Sequence, residues 1–161
     1  MDTYLIRKFR NMDLYSPLKK YFGFNKFKGL HLLLEALSYI DPAWVELSVY
    51  GNSDDEVYEK RLRALTAQRL NIYWRGKLQQ TDVVRTMQQH DMLCLCSTFS
   101  EMSPLVIQEA FAARIPVLAS NVYGNSEQIL HNHNGLLFQF DSSEDLRNQI
   151  VRCITEPYLL Q

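Results

Sequence analysis

Met92-Leu-Cys-Leu-Cys96, then Ser103-Pro104-Leu-Val-Ile-Gln-Glu-Ala-Phe-Ala-Ala113, then Pro116-Val-Leu-Ala119 is the run of sequence that decides the fold. The first piece is wholly apolar, as a strand covered on both faces has to be. In the second, Pro104 suits a first helical position, with its fixed φ and missing N–H, and Ser103 ahead of it can cap. The residues that follow are apolar nearly all round, which predicts a helix buried in the body of the domain. A second short apolar strand completes a strand–helix–strand unit, and such units build parallel sheets.

The same alternation extends in both directions. Tyr21–Phe24, Trp44–Tyr50, Asn71–Trp74 and Leu136–Phe138 read as further strands, the first three punctuated by Gly23, Gly51 and Gly76. Lys28–Ile40 places Leu30, Leu33, Leu34 and Leu37 at helical spacing. Asp54–Arg69 reads as a surface helix with Val57, Leu62 and Leu65 on one side. Thr81 is placed to cap a short helix through His90, with Val84 and Met87 inward. Asn125–Leu130 reads as a helical turn, and Ser142–Thr155 as a last amphipathic helix. The fold expected is α/β: a Rossmann-like, doubly wound parallel sheet of about six strands with helices on both faces. Met1–Lys20 stands outside the alternation and is read as an interdomain connection, leaving 21–161 as one domain. Folds of this kind bind ligands beyond the carboxyl ends of their strands. That singles out the loops Gly23–Gly29, Gly51–Asp55, Gly76–Leu78, Ser97–Pro104 and Ser120–Ser126.

Composition narrows the function. The 161 residues are 47% hydrophobic and 22% charged, and 17 basic against 18 acidic side chains leave a net charge of −1. A chain so balanced has no general attraction for nucleic acid or an anionic bilayer, so any anion must be bound locally. No apolar run is long enough to span a membrane. Met1–Asn11, with Arg7, Lys8 and Arg10, does not resemble a signal peptide. The three cysteines, Cys94, Cys96 and Cys153, have no metal-ligand spacing and read as buried, reduced thiols of a cytoplasmic protein. His131 and His133 fall in a turn-rich stretch and read as loop residues rather than metal ligands.

Glu109 is the anomaly in the apolar helix, since glutamate is rarely buried without a partner. It lies about 7.5 Å along the axis from Pro104, still near the ligand end. Glu101 sits in the loop just ahead. Two carboxylates thus flank a helix N-terminus, whose free N–H groups and dipole attract an anion. They suit a ligand that carries hydroxyl groups on either side of a phosphate. Glu101 can equally be a solvated loop residue that favours the helix dipole.

Glu101-x7-Glu109, Ala110-Phe-Ala, Ile115-Pro-Val-Leu-Ala-Ser120, Gly124 with Glu127, and Asn134-Gly-Leu-Leu-Phe occur in one order. In this the chain resembles the C-terminal domain of the retaining glycosyltransferases of family 4, two-domain enzymes of the GT-B type. The resemblance runs from about Lys20 to Thr155. It implies a donor site for a nucleoside-diphosphate sugar, needing neither cofactor nor metal. Glu101 would lie near the donor sugar, and Glu109 would bind ribose hydroxyls. Backbone N–H groups around Ser103, Leu105 and Val106 would hold the diphosphate. Lys28, in the Lys28-Gly29 pair, would neutralise the leaving group. Lys77 or Leu78 would border the base, with Gly51 in the neighbouring loop. Family members commonly carry an arginine shortly after the first strand. Here Gly23-Phe-Asn-Lys26-Phe-Lys28-Gly29 has none; Lys26 can substitute as a point charge, or be an exposed turn lysine.

The resemblance also implies partners: an N-terminal acceptor-binding domain, and a saccharide or lipid-linked acceptor in cell-surface polysaccharide synthesis. The full-length enzyme is expected in the cytoplasm or at the inner face of the membrane, and this chain alone is expected to be inactive. The competing reading is a non-catalytic Rossmann-like module that keeps the pocket. A dinucleotide-dependent oxidoreductase would want Gly-x-Gly-x-x-Gly after the first strand, and the motif is absent.

Overall fold

The computed structural model describes residues 3–8 and 26–160. These form an α/β domain around one six-stranded sheet, in the order β3-β2-β1-β4-β5-β6. The strands are β1 (Thr3–Lys8), β2 (Val45–Tyr50), β3 (Ile72–Gly76), β4 (Met92–Leu95), β5 (Val117–Ser120) and β6 (Gly135–Phe138). The helices are α1 (Leu30–Ser38), α2 (Glu56–Leu65), α3 (Val83–Met87), α4 (Leu105–Ala112) and α5 (Ser143–Thr155).

Period-2 alternation along the central strands builds two cores, one on each face. Ile6, Leu47, Met92, Cys94 and Leu118 face a cluster completed by α1, α2 and α5. Leu5, Leu93, Leu95, Val117 and Ala119 face the other, completed by α3 and α4. Helix caps follow local chemistry. Asp55 Oδ1 accepts from the Tyr58 N–H at the start of α2, and Ser142 Oγ from the Asp145 N–H at the start of α5.

Two β-sheet expectations change. Thr3–Lys8 belongs to the domain: β1 lies at the sheet centre, antiparallel to both β2 and β4. Its apolar pair is only Leu5-Ile6, too short for periodicity to register, yet each residue fills a different core. The remaining neighbours, β2–β3 and β4–β5–β6, are parallel as expected. The strand read at Tyr21–Phe24 lies outside the described residues.

Three helices also differ in detail. In α2 only Leu62 is buried, with Val57 79% and Leu65 66% exposed; residues five apart on a helix point about 140° from each other. In α3 Thr81 does not cap; it lies in a 3-10 turn, Gln80–Asp82, and Val83 with Met87 makes the inward face. Helix α4 is not buried all round. Its stripe of Val106, Ile107 and Ala110 packs inward, whereas Leu105 is 61% exposed at the ligand end of the sheet.

Candidate functional site

The loops after β4 and β5 and the turn before α1 meet beyond the carboxyl ends of the strands. Gly29 makes the meeting possible. It has φ +67, and a Cβ there would lie 1.8 Å from the Cys96 carbonyl oxygen, so only glycine lets α1 start against the end of β4. Gly124 does the same for the loop before α4: at φ +90, a Cβ would lie 2.0 Å from the Glu101 carbonyl oxygen. The Glu101 N–H donates to the Tyr123 carbonyl at 3.0 Å. The Glu101 backbone thus bonds to the Tyr123-Gly124 turn through its N–H and packs its carbonyl closely against Gly124.

Its side chain is fixed as well. Lys28 Nζ donates to Glu101 Oε1 at 2.5 Å, and Ser97 Oγ donates to the same oxygen at 2.8 Å. Both charged side chains are about three-quarters buried, at 28% and 21% exposure, so water screens this pair less than a surface one. Behind it runs a buried polar ladder. Ser120 Oγ donates to the Ser97 carbonyl at 2.7 Å, and Asn125 Nδ2 to the Ser120 carbonyl at 3.1 Å. Ser97 and Asn125 were not among the residues expected from sequence. Single polar residues carry no periodic signal, and only their tertiary partners give them a role.

Lys28, Glu101, Ser103, Leu105 and Val106 line one cleft of about 310 Å³, together with Ser97, Met102 and Pro104. At its end α4 begins. Pro104 occupies the N-cap position and no side chain caps the helix, so Ser103 is not the cap expected of it. Ser103 instead holds the loop in a positive-φ conformation, φ 122, which costs a non-glycine residue strain. The Ile107 N–H turns back to the Pro104 carbonyl at 3.1 Å. The N–H groups of Leu105 and Val106 ahead of it meet no acceptor among the described residues, as at any uncapped helix start.

One turn along α4, Glu109 is half-buried. Its Oε1 accepts from Gln80 Nε2, whereas its Oε2 is buried without a hydrogen bond. A buried, unpaired carboxylate oxygen costs free energy that a ligand hydroxyl can recover. Gln80 is a third residue that sequence reading missed.

Other expected site residues fall elsewhere. Lys26 is exposed in the 3-10 turn Lys26–Lys28 and lines neither cavity that Lys28 borders. Gly51 closes β2, its N–H donating to the Gly76 carbonyl at 2.8 Å. Lys77 follows it half-buried, and Leu78 is fully buried in the α3–α4 core, so its side chain cannot border a ligand. His131 Nδ1 accepts from the Leu137 N–H at 2.9 Å, a structural use. Among the described residues no three His, Cys, Asp or Glu side chains cluster as metal ligands, and no helix is long and apolar enough to cross a membrane. The thiols are free and buried. Burial pushes the Cys96 thiol well up and the Cys153 thiol to about 11.

Comparison with known proteins supplies the family. The chain is 30% identical over 115 residues to the Glycosyltransferase 1 domain-containing protein 1 of Xenopus tropicalis, covering 71% of this chain and 32% of that one. It is 27% identical over 135 residues to the spore coat protein SA of Bacillus subtilis, covering 78% and 36%. The chain therefore spans about a third of the length of these relatives. Among solved structures, Anabaena HepE in complex with UDP-glucose superposes with a TM-score of 0.79 at 25% identity, over 89% of this chain and 40% of that one. The sequence profile of one family, described as glycosyl transferases group 1, matches residues 23–161. That match covers most of the chain and agrees with the fold: this chain belongs to the group 1 glycosyltransferases.

Proposed function

We propose that this chain is the donor half of a retaining, family 4 glycosyltransferase and binds a nucleoside-diphosphate sugar in the cleft before α4. The observation that carries the reading is the Lys28–Glu101 pair, 2.5 Å apart beside the open N-terminus of α4. UDP-glucose bound to the Anabaena relative supports the same ligand class.

The chemistry follows from charge. An acceptor hydroxyl bonds to the anomeric carbon as the bond from that carbon to the diphosphate breaks with its electron pair. The hydroxyl proton leaves with the diphosphate. Negative charge grows on the departing oxygen, where Lys28 and the Leu105 and Val106 N–H groups stabilise it without a metal ion. Positive charge grows on the sugar ring, which the Glu101 carboxylate tolerates. Glu109 binds the ribose hydroxyls, exchanging Gln80 for them and satisfying its second oxygen. An N-terminal domain would supply the rest of the acceptor site, so the chain by itself binds donor but transfers little. In a full-length enzyme the site would work in the cytoplasm or at the inner membrane face on a saccharide or lipid-linked acceptor.

A thermal-shift titration with UDP, GDP, ADP and UDP-glucose tests the reading. A ligand at a hundred times its dissociation constant stabilises the fold by about 2.7 kcal/mol. A shift with one base is expected; no shift with any of the four would overturn the proposal.

A further inference from the structure

Beside the cleft lies a second cavity of about 370 Å³, walled by Phe27, Lys28, Phe99 and Glu101. It shares Lys28 and Glu101 with the first cavity and no other lining residue. The ion pair is their common wall, and the two sides differ in chemistry. One offers helix N–H groups and serine hydroxyls. The other offers two phenyl rings set edge to face, with centroids 6.0 Å apart.

Phe27 is 61% exposed and Phe99 66%. Apolar rings so open, gathered beside a charged pair, mark a surface that a ligand covers. The walls are also preorganised. The Thr98 N–H donates to the Phe27 carbonyl at 2.7 Å, and the Thr98 hydroxyl donates to the same oxygen at 3.2 Å. The loop after β4 is thus stitched to the turn before α1, which sets the backbones that carry the two rings side by side.

We infer that this aromatic cavity is an acceptor subsite and that it seats a pyranose ring. A pyranose has a face of C–H bonds and a rim of hydroxyls. The C–H face suits the electron-rich phenyl face. The rim suits a carboxylate that accepts and an ammonium that donates, both present here at one wall. The inference rests on the donor reading above. Retention in a single displacement brings the attacking hydroxyl to the face from which the diphosphate leaves, beside Lys28, and Lys28 is a wall of this cavity as well as of the first.

The test is saturation-transfer NMR on the 161-residue chain, irradiating its aromatic protons. Probes are methyl α-D-glucopyranoside, methyl α-D-mannopyranoside and methyl β-D-galactopyranoside, each with and without UDP, and UDP-glucose alone. Wild type is compared with the double variant Phe27→Ser, Phe99→Ser, whose melting temperature serves as the control for folding. Transfer to the ring protons of at least one glycoside is expected, falling about fivefold or more in the variant while UDP affinity holds. Absence of transfer to any glycoside, or transfer undiminished in the variant, overturns the subsite. Transfer confined to the glucose ring of UDP-glucose and lost in the variant gives the cavity to the donor's own sugar and overturns the acceptor assignment. Failure of UDP to bind, with glycoside transfer intact, removes the donor reading and leaves the pyranose site standing.

Discussion

Lys28 Nζ lies 2.5 Å from Glu101 Oε1 although 73 residues separate them in sequence. Each is the ready counter-ion of the other, so an incoming diphosphate has to compete with Glu101 for Lys28. Lys28→Ala is expected to weaken a nucleoside diphosphate by about 1.5–3 kcal/mol and leave the nucleoside unchanged. Calorimetric titration of UDP against uridine reads the difference. Equal losses for both would remove Lys28 from phosphate contact.

Glu101→Gln keeps the shape of the site and releases the lysine. Diphosphate affinity is expected to hold or rise, by up to about tenfold for the freed charge. In a full-length enzyme, sugar transfer is expected to fall at the same time. A variant that loses binding and transfer together would make Glu101 a structural clamp for its loop.

Glu109 carries a buried oxygen with no partner in the free protein. Glu109→Ala removes that cost and places a good helix former in α4, so the free chain is expected to melt within about 1 kcal/mol of wild type or slightly above it. Its affinity for ribonucleotides is expected to drop by about 1–3 kcal/mol. Unfolding of the variant would assign Glu109 to the scaffold instead.

Gly29 and Gly76 have similar φ, +67 and +71, and differ in what surrounds them. Gly29→Ala drives a Cβ into the Cys96 carbonyl, whereas nothing lies within 4 Å of the Cβ position at Gly76. Urea denaturation is expected to show a loss above about 3 kcal/mol for Gly29→Ala and only about 1–2 kcal/mol for Gly76→Ala. Comparable losses would mean that the close approach of α1 to β4 is not what requires glycine.

Burial raises the Cys153 thiol from its ordinary 9.0 to about 11, and raises Cys96 too. The folded chain holds these protons more tightly than the unfolded one. Stability from this source is complete below pH 9 and is lost as pH rises through 11. A thiol reagent at pH 8 is expected to label none of the three cysteines until denaturant is added. Labelling of the native chain would show that the β4–α5 core opens.

The sheet, its strand order of alternation and the ligand end were legible in the sequence because apolar runs such as Met92–Leu95 and Val117–Ser120 are short, dense and separated by helix-period stripes. Glu109 stood out as a carboxylate in an apolar helix and Glu101 as a second one ahead of it, whereas Lys28 was singled out only by the family resemblance. Their partners were not legible. Gln80 meets Glu109 across 29 residues, and Ser97, though only four residues from Glu101, is one serine in a loop, so no local pattern announces either. Leu78 shows the converse: its place after a strand end suggested a ligand, whereas its apolar side chain went to the core. Helix α4 looked buried all round because composition cannot reveal which apolar face lies at a rim.

The reversed strand β1 leaves a mark on how the domain can assemble. Two parallel ribbons, β2–β3 and β4–β5–β6, each draw on segments that follow one another along the chain. Among the described residues the two ribbons are joined in the sheet only by β1, where Leu5 pairs with Ser48 on one side and with Leu93 on the other. Loop-closure entropy makes such distant pairings slow to form. Thr3–Lys8, early in the chain, is thus the keystone of its sheet: the two ribbons become one sheet only when it is set between them.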